Sequence, residues 1–496
     1  MPPESEVSDG VSQFRFSPGS NTAHLVRWRE WGAPAFEEAV RANKPVAVFI
    51  TAFWCAVCQR LDETTLSTEE VQLLLNAYFV PIRVEESRRP DVDLRYAQQG
   101  WPTIAFLTPH GEPILSVNAL EPDQLISLLV RLVDAHQQDG AECAEPASPE
   151  TPDAPRQPRM RALSPSTVDD VLQLLDGLAD PRDGGFGGPH KYFHVDALAF
   201  YLHKGRLRHV DLTLRTLIDR AIYDPSDGGF FRYSSKSDWN EPHREKLLID
   251  QANLLQVYLD TLQLTYNVDF ESTAERLIAY LEHTLRLPNS PFLAGCQDFL
   301  RHPQSEGWTP LIDPLVYCDA NAHAALAYFR AWRVLGREDC RERALEVVDA
   351  LWRILRDETD GVHHYFDGAT AHVPGLLVDS VALGSALLEA YASIGDENYL
   401  EHASLLASDI RRVHFNPDGG FYDIGRRGPA ALRRPLTELT QNAAAAMFFL
   451  RLSELGKDAR PRDAAEWALL GYGGRLDVYG AYAASFGHAL DLYLAA

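Results

Sequence analysis

The feature that most constrains the fold is a short apolar segment that runs into two cysteines. Residues 46–51 are apolar or β-branched, the sequence Trp54-Cys55-Ala56-Val57-Cys58 follows, and a helical pattern comes next. Backbone N–H groups at the start of a helix have no helical partner and favour negative charge, so a cysteine placed there ionises readily. We therefore predict that Cys55 is a nucleophile and that Cys58, one helical turn later, resolves a mixed disulfide.

A second element is expected to lie against these cysteines. Gly100-Trp101-Pro102-Thr103 precedes a strand-like run at residues 104–107. A strand that leads into a Cys-x-x-Cys helix is typical of thioredoxin-like α/β domains, in which the X-Pro bond is cis and shapes the substrate groove. The sequence therefore predicts a thioredoxin-like domain over residues 21–136, with Pro102 as the third member of its catalytic set.

Charged residues near the cysteines would act on the predicted thiol in opposite directions. Phe49 stands in the strand region where thioredoxins usually bury a proton-accepting aspartate. Arg60 would favour a thiolate, whereas Asp62 and Glu63 would disfavour one. We therefore expect these residues to favour the thiolate form of Cys55 only modestly. The alternative is that Cys55 and Cys58 are a structural pair in a redox-inert domain.

The length and the charge of the chain limit what else it can be. At 496 residues it is too long for one such domain, so a second domain is expected. A net charge of -24 argues against nucleic acid and against an anionic membrane as partners. No run of about 18 apolar residues occurs, and the first residues lack the apolar core of a signal peptide. We therefore expect a cytoplasmic protein without a membrane span. The two cysteines make a protein with a dithiol or a disulfide the expected partner.

The other cysteines and the histidines suggest neither a metal nor a cofactor. Six cysteines are too few for a disulfide scaffold, and without a second Cys-x-x-Cys a four-cysteine zinc site is not expected. His363 and His364 form a tandem pair, but neighbours in sequence rarely share a metal, and no third ligand suggests itself. The sequence therefore predicts no metal site and no cofactor.

The rest of the chain has a different organisation. Residues 1–20 are predicted to be a flexible tail, and the Pro-rich residues 137–163 a semi-extended linker. From residue 164 to 496 the pattern is helical and repeats as six helix pairs, the size of an (α/α)6 toroid. The predicted outer helices start near Thr167, Val210, Glu271, Glu338, Asn398 and Pro461, and the inner ones near Val195, Leu248, Asp319, Asp379, Thr440 and Ala481.

The connections between these helices predict where a site would lie. Inner-to-outer links are short, whereas outer-to-inner links are long, and three of them contain Asp-Gly-Gly-Phe, at residues 183–186, 227–230 and 418–421. These loops follow helices and lack a phosphate-loop context, so we interpret them as tight glycine turns. We expect a closed ring with all the long loops on one face, which we call the mouth.

Polar and aromatic residues near the mouth are the predicted substrate-binding set. Carboxylates can act as acid and base on glycosidic bonds, and aromatic side chains stack on sugar faces. A histidine there could act as a general acid or base, although it could equally pack a loop, and the aspartates could instead cap helices. The predicted set is Trp239, His243, Glu245, Lys246, Asp250, Asp319 and Asp379.

Together these segments resemble the spermatogenesis-associated protein 20 family. The likeness is carried by WGAPAFEEAVRANKPV, the Cys-x-x-Cys, RPDVD, GWPT with FLTP, GGFGGPHKYFH, DGGFFRYS and PHREKLLIDQANLL. It implies a thioredoxin-like domain fused to a six-hairpin toroid similar to glycosidases and N-acylglucosamine 2-epimerases, and it implies more about fold than about activity. Family members commonly carry histidine within and just after the Cys-x-x-Cys, where Ala56, Val57 and Gln59 stand here.

Three functions fit this sequence. The first is a thiol–disulfide oxidoreductase whose toroid binds a substrate or partner, which could be carbohydrate. The second is a non-catalytic binding protein. The third is a sugar-active enzyme, a 2-epimerase or glycosidase-like hydrolase, that uses the toroid mouth.

Overall fold

The computed structural model describes residues 14–97, 100–139, 163–301, 308–425, 435–472 and 476–496. The described residues below 140 belong to one compact unit, and those from 163 onward belong to a second. Most of the predicted tail and nearly all of the predicted linker lie outside these ranges. Residues 14–20, which were predicted as part of the tail, instead pack on the first unit, since the Ser17 N–H donates to Asp62 Oδ2 at 2.9 Å.

The first unit is a four-stranded sheet covered by helices on both faces. Its strands run in the order β2-β1-β3-β4; β1 is parallel to β2 and antiparallel to β3, which is antiparallel to β4. Alternate residues of β1 enter two separate apolar clusters, so the whole strand is buried and its sequence is continuously apolar. The elements in chain order are α1 (Ala33–Ala42), β1 (Val46–Thr51), α2 (Ala56–Glu63), α3 (Glu69–Tyr78), β2 (Val80–Glu85), α4 (Pro90–Tyr96), β3 (Thr103–Leu107), β4 (Pro113–Val117) and α5 (Pro122–Asp139).

The second unit consists of six helix pairs within its described residues. In chain order these are α6 (Pro165–Leu178) with α7 (Val195–His203), α8 (Leu207–Asp219) with α9 (Leu248–Thr265), α10 (Val268–Tyr280) with α11 (Cys318–Leu335), α12 (Glu338–Leu355) with α13 (Leu377–Ile394), α14 (Glu397–Val413) with α15 (Leu439–Gly456), and α16 (Arg460–Leu470) with α17 (Ala483–Ala495). Each helix starts within three residues of its predicted position.

The six inner helices form a closed ring. Each of α7, α9, α11, α13 and α15 packs on the next inner helix, and α17 packs back on α7 and on α6. The predicted fold class, a thioredoxin-like α/β unit followed by an (α/α)6 toroid, is confirmed. Helix α13 is long and apolar enough to cross a membrane by length and composition, with a mean hydropathy of 1.3, but 61% of it is buried inside the ring.

Short strands occupy the long connections that enter the inner helices. They are β5 (Tyr233–Ser234), β6 (Pro242–His243), β7 (Lys246–Leu247), β8 (Cys296–Arg301), β9 (Trp308–Asp313), β10 (Val316–Tyr317), β11 (Arg356–Asp357), β12 (Gly361–Phe366) and β13 (Ala371–Pro374). All of them precede the N-terminal ends of inner helices, so these loops share one face of the ring, as predicted.

Amide side chains at the start of the inner helices fix these loops. Gln251 accepts the N–H of Phe230 at 2.8 Å and donates to its carbonyl at 2.7 Å, and Asn442 does the same for Phe421, at 2.6 and 2.9 Å. Asn321 holds Leu293 in this way too. Because each amide is the fourth residue of its helix, this repeated contact sets where the loop meets the ring.

Candidate functional site

The first candidate site is the start of α2, where Cys55 is the N-cap residue. Its Sγ accepts a hydrogen bond from the Cys58 N–H at 3.2 Å and lies 3.7 Å from the carbonyl oxygen of Trp101. The peptide bond between Trp101 and Pro102 is cis. The strand before the motif therefore delivers Cys55 to a helix N-terminus, and the X-Pro element lies beside it.

Cys58 is held in a different environment. It is 2% exposed, whereas Cys55 is 8% exposed. Burial, followed by the hydrogen bond and the charge of Cys55, raises the pKa of Cys58 well above its ordinary value. Cys58 therefore stays a neutral thiol, while its backbone N–H supports the sulfur of Cys55.

The structure corrects the predicted influence of Asp62 on this site. Asp62 is buried, and both of its oxygens accept hydrogen bonds from the Arg83 guanidinium at 2.8 Å. Its negative charge is thus compensated by a cation and does not act alone on the thiols. The sequence could not show this, because Arg83 lies 21 residues away on β2.

Two indole rings form the rim beside Cys55. Trp54 and Trp101 meet edge to face with their centroids 5.2 Å apart. Trp54 donates its indole N–H to Glu86 at 3.1 Å, and Trp101 donates to Asp93 at 2.7 Å. Carboxylates therefore fix both rings at the edge of the site.

The second candidate site is the mouth of the ring, and here two predicted residues are misplaced. Trp239 is fully buried and donates its indole N–H to the Asp183 carbonyl at 3.0 Å. Lys246 is fully buried too, with its Nζ 2.7 Å from both Asp224 Oδ2 and the Gly228 carbonyl. Both side chains are buried and stabilise the connecting loops of the ring, so neither can contact a substrate in the mouth.

A second buried lysine makes the same two contacts, with an aspartate and with a glycine carbonyl. Lys191 Nζ lies 2.9 Å from Asp180 Oδ2 and 2.9 Å from the Gly184 carbonyl. Asp180 and Asp224 each begin the sequence Asp-Pro-x-Asp-Gly-Gly-Phe. This longer repeat, beyond the Asp-Gly-Gly-Phe core, was the signal that could have identified the two lysines as structural.

Carboxylates gather around Arg232 where α9 begins. Burial raises the pKa of Glu245 to about 7 and that of Asp250 to about 6, and the positive charge of Arg232 opposes both shifts. Asp298 is a further neighbour whose negative charge raises the pKa of Glu245. Two predicted residues, Glu245 and Asp250, thus lie close enough to influence each other's protonation near neutral pH.

His243 is exposed and belongs to a stack of rings. It stacks on Tyr233 with centroids 4.0 Å apart, and Tyr233 stacks on Tyr192 at 4.9 Å. Stacking against Tyr233 removes part of the water around the imidazole, and this desolvation, together with the positive charge of Arg232, lowers the pKa of His243. Because Tyr192 is 38% exposed, this stack offers an aromatic surface next to the carboxylates.

The predicted aspartates at the inner helix starts do not act as N-caps. Asp250, Asp319 and Asp379 lie in the first turns of α9, α11 and α13, whose N-cap residues are Leu247, Tyr317 and Leu376. Asp196 occupies the first turn of α7, where burial and the charge of Glu438 raise its pKa. The acidic side chains therefore face one end of the ring, in line with the positive end of each helix dipole.

Asp319 and Asp379 come together with His364, which was not among the predicted site residues. His364 Nδ1 lies 3.0 Å from each carboxylate oxygen of Asp379, and Asp379 Oδ1 accepts the Asp319 N–H at 3.2 Å. Burial raises the pKa of Asp379 to about 6, an effect that His364 opposes. The partners of His364 are distant in the sequence, so its position beside His363 did not predict this cluster.

At the opposite end of the ring, ion pairs link neighbouring inner helices. Near the C-terminal ends of the inner helices, Arg330 pairs with Asp260, and Glu389 pairs with both Arg333 and Arg451. Asp491 of α17 adds pairs with His203 at 2.7 Å and with Lys204 at 3.1 Å. The named carboxylates at this end therefore each have a basic partner.

Comparison with known proteins confirms the family resemblance. Residues 19–147 match the family described as "Protein of unknown function, DUF255". The chain is 29% identical over 292 residues to spermatogenesis-associated protein 20 of Rattus norvegicus, a match that covers 52% of this chain and 37% of the relative. The Homo sapiens protein is 28% identical over 312 residues, with 56% and 39% covered. The chain thus matches less than two fifths of the length of these relatives.

Solved structures share the architecture of the ring. A cellobiose 2-epimerase from Spirochaeta thermophila superposes with a TM-score of 0.51 at 18% identity, covering 67% of this chain and 99% of that one. A family 76 glycoside hydrolase from Bacteroides thetaiotaomicron gives a TM-score of 0.50 at 10% identity, covering 79% and 84%. At these identities the likeness shows the six-hairpin fold alone.

Proposed function

We propose that this protein, which carries a DUF255 domain and resembles spermatogenesis-associated protein 20, is a thiol–disulfide oxidoreductase that uses Cys55 and Cys58. The observation that carries the proposal is the N-cap position of Cys55, whose sulfur accepts the Cys58 N–H at 3.2 Å. A hydrogen bond to sulfur at a helix N-terminus stabilises the thiolate, which is the reactive form.

The exchange proceeds in two steps. The Cys55 thiolate attacks one sulfur of a substrate disulfide, forming a mixed disulfide and releasing the other substrate sulfur as a thiolate. Cys58 then loses its proton and attacks the Cys55 sulfur, which forms the Cys55–Cys58 disulfide and releases the second substrate thiolate. The substrate gains two electrons and the protein loses two, and the reverse sequence oxidises a substrate dithiol.

The test is to trap the mixed disulfide. With Cys58→Ser the second step is blocked, so incubation with a disulfide-bonded peptide should accumulate a covalent adduct on Cys55. Cys55→Ser is the matched control and should form no adduct at residue 58. The proposal fails if the Cys58→Ser protein forms no adduct, or forms it equally at Cys296, Cys318 and Cys340, which are all buried.

A second proposed function is carbohydrate binding at the mouth. The observation that favours it is the partly exposed stack of Tyr192, Tyr233 and His243 beside the carboxyl groups of Glu245 and Asp250. Aromatic faces stack on sugar rings, and carboxylates accept hydrogen bonds from sugar hydroxyls. The epimerase and hydrolase that share the fold act on such molecules according to their names.

Calorimetric titration with cello- and manno-oligosaccharides tests this binding. Tyr233→Ala should weaken binding at least tenfold, because it removes the middle ring of the stack. Tyr266→Ala removes a tyrosine that is 84% exposed at the C-terminal end of α9, and it should leave binding unchanged. Equal effects of the two variants, or no binding by the unaltered protein, would contradict the proposal.

A further inference from the structure

Three metal-ligating side chains from separate elements converge where α11 and α13 begin. Asp319 lies on α11, His364 on β12 and Asp379 on α13. One ligand atom from each lies within 4.8 Å of the other two. None of the three is adjacent to another in sequence, so the fold itself brings them together.

The spacing of these atoms suits a single small cation. Donor atoms bound to one zinc ion at about 2.0–2.2 Å are separated from each other by roughly 3–4 Å. The three ligand atoms lie within 4.8 Å of one another, so they would have to move only slightly closer together to bind one ion. Asp379 is 0% and His364 3% exposed, so packing already restricts two of the three side chains.

The charge of the cluster also favours a cation. Asp319 and Asp379 bring two carboxylates together, and His364 is the one basic partner of Asp379 among the ion pairs of the described residues. Neither carboxylate forms an ion pair with a lysine or arginine in that part of the chain. A divalent ion would neutralise both carboxylates at a place where burial makes uncompensated charge costly.

A histidine on the same face of α11 extends this polar region. His323 follows Asp319 by one helical turn, and the negative charge of Asp319 reaches its imidazole. His323 Nδ1 lies 2.7 Å from Asn253 Oδ1. The amide oxygen can only accept a hydrogen bond, so Nδ1 of His323 carries the proton. Supporting hydrogen bonds fix the tautomer of histidines in metal sites in the same way.

We propose that Asp319, His364 and Asp379 bind one divalent transition-metal ion of the zinc class at the mouth of the ring. Imidazole with carboxylates favours this class, whereas magnesium and calcium prefer oxygen ligands alone. The competing explanation is a hydrogen-bonded Asp379–His364 pair that only supports the start of α11. The two explanations differ in whether the protein takes up metal. The proposal goes beyond both functions proposed above and depends on neither.

The experiment uses the full chain with Cys55→Ser and Cys58→Ser, because two nearby cysteines could themselves bind zinc. After chelator treatment and dialysis against Zn²⁺, elemental analysis should find one zinc per chain that survives gel filtration. Co²⁺ should give visible absorption without the intense thiolate band in the near ultraviolet. If the double cysteine variant retains less than a tenth of a zinc ion per chain, the proposal is wrong.

Matched variants assign the ligands. Asp319→Asn changes one atom of a partly exposed side chain and should weaken zinc binding at least tenfold, as should His364→Ala. His363→Ala removes the adjacent histidine, whose Nδ1 lies 3.3 Å from the Leu355 carbonyl, and should leave binding unchanged. Circular dichroism checks that each variant is folded. If folded Asp319→Asn binds zinc as tightly as its parent, or if His363→Ala loses it equally, the assignment is wrong.

Discussion

Arg83 is a buried cation whose charge reaches the thiol site. Its guanidinium pairs with Asp62 through two hydrogen bonds of 2.8 Å and packs over the rings of Phe16 and Trp28. Its positive charge also opposes the rise in the pKa of Cys58. The first unit therefore holds a buried cation beside Asp62, whose charge does not act alone on the thiols.

Removal of Asp62 should destabilise the first unit strongly. Asp62→Ala leaves the Arg83 charge buried without its partner, which costs about 3–5 kcal/mol. Glu38→Ala breaks the more exposed Arg29–Glu38 pair and should cost under about 1 kcal/mol. Urea unfolding monitored by tryptophan fluorescence compares them, and equal losses would contradict the assigned role of the buried pair.

Glu245 should make stability depend on pH. Burial raises its pKa from 4.5 to about 7, so the folded protein binds more protons than the unfolded chain between these values. Stability should therefore fall as the pH rises from about 4.5 to about 7, by about 3 kcal/mol in total from this residue.

Glu245→Gln cannot ionise and should lose this part of the pH dependence. The free energy of unfolding should thus be measured at pH 5 and pH 8, where the variant should gain relative to the parent at the higher pH. Glu241→Gln, at an exposed position, is the control. A pH dependence that is the same with and without Glu245 would rule out a buried, protonated carboxyl.

Periodicity in the sequence predicted the helices but not the structure of the long connecting loops. The six helix pairs were placed within three residues, because small apolar residues mark the inner helices and amphipathic patterns mark the outer ones. Strands β8, β9, β12 and β13 were not predicted, since each is a short part of a long connection. Trp239 and Lys246 were misassigned because their partners, Asp183 and Asp224, lie 56 and 22 residues away.

The Asp-Gly-Gly-Phe loops should tolerate substitution less well than other glycine turns. Gly185 has a φ of +71°, and a Cβ there would lie 2.7 Å from Trp239 Cζ2. Gly336 has nearly the same φ, +70°, with open space around it. Gly336→Ala should cost about 1 kcal/mol from the backbone alone, whereas Gly185→Ala should cost a further 1–3 kcal/mol. Thermal unfolding of the two variants compares them, and equal melting temperatures would contradict the close packing of the loop.

The chain combines two units that each carry a distinct polar site. The first unit places Cys55 at the start of a helix and buries Cys58 behind it. The second closes a ring whose mouth gathers carboxylates and aromatic rings and whose other end is crossed by ion pairs. The sequence predicted both folds, but it could not predict the clusters of distant residues, Asp62 with Arg83 and Asp319 with His364, because long-range contacts create them.

The alkylation rate of Cys55 at neutral pH is the most direct test of the proposed thiol chemistry. The reduced protein is treated with iodoacetamide at pH 7, and mass spectrometry of its peptides follows each cysteine against the same protein unfolded in urea. Cys55 should react severalfold faster in the folded protein than in the unfolded chain, while Cys58 should react far more slowly when folded. If Cys55 reacts no faster in the folded protein and mild oxidation forms no Cys55–Cys58 disulfide, the cysteine pair is structural and the proposed activity is wrong.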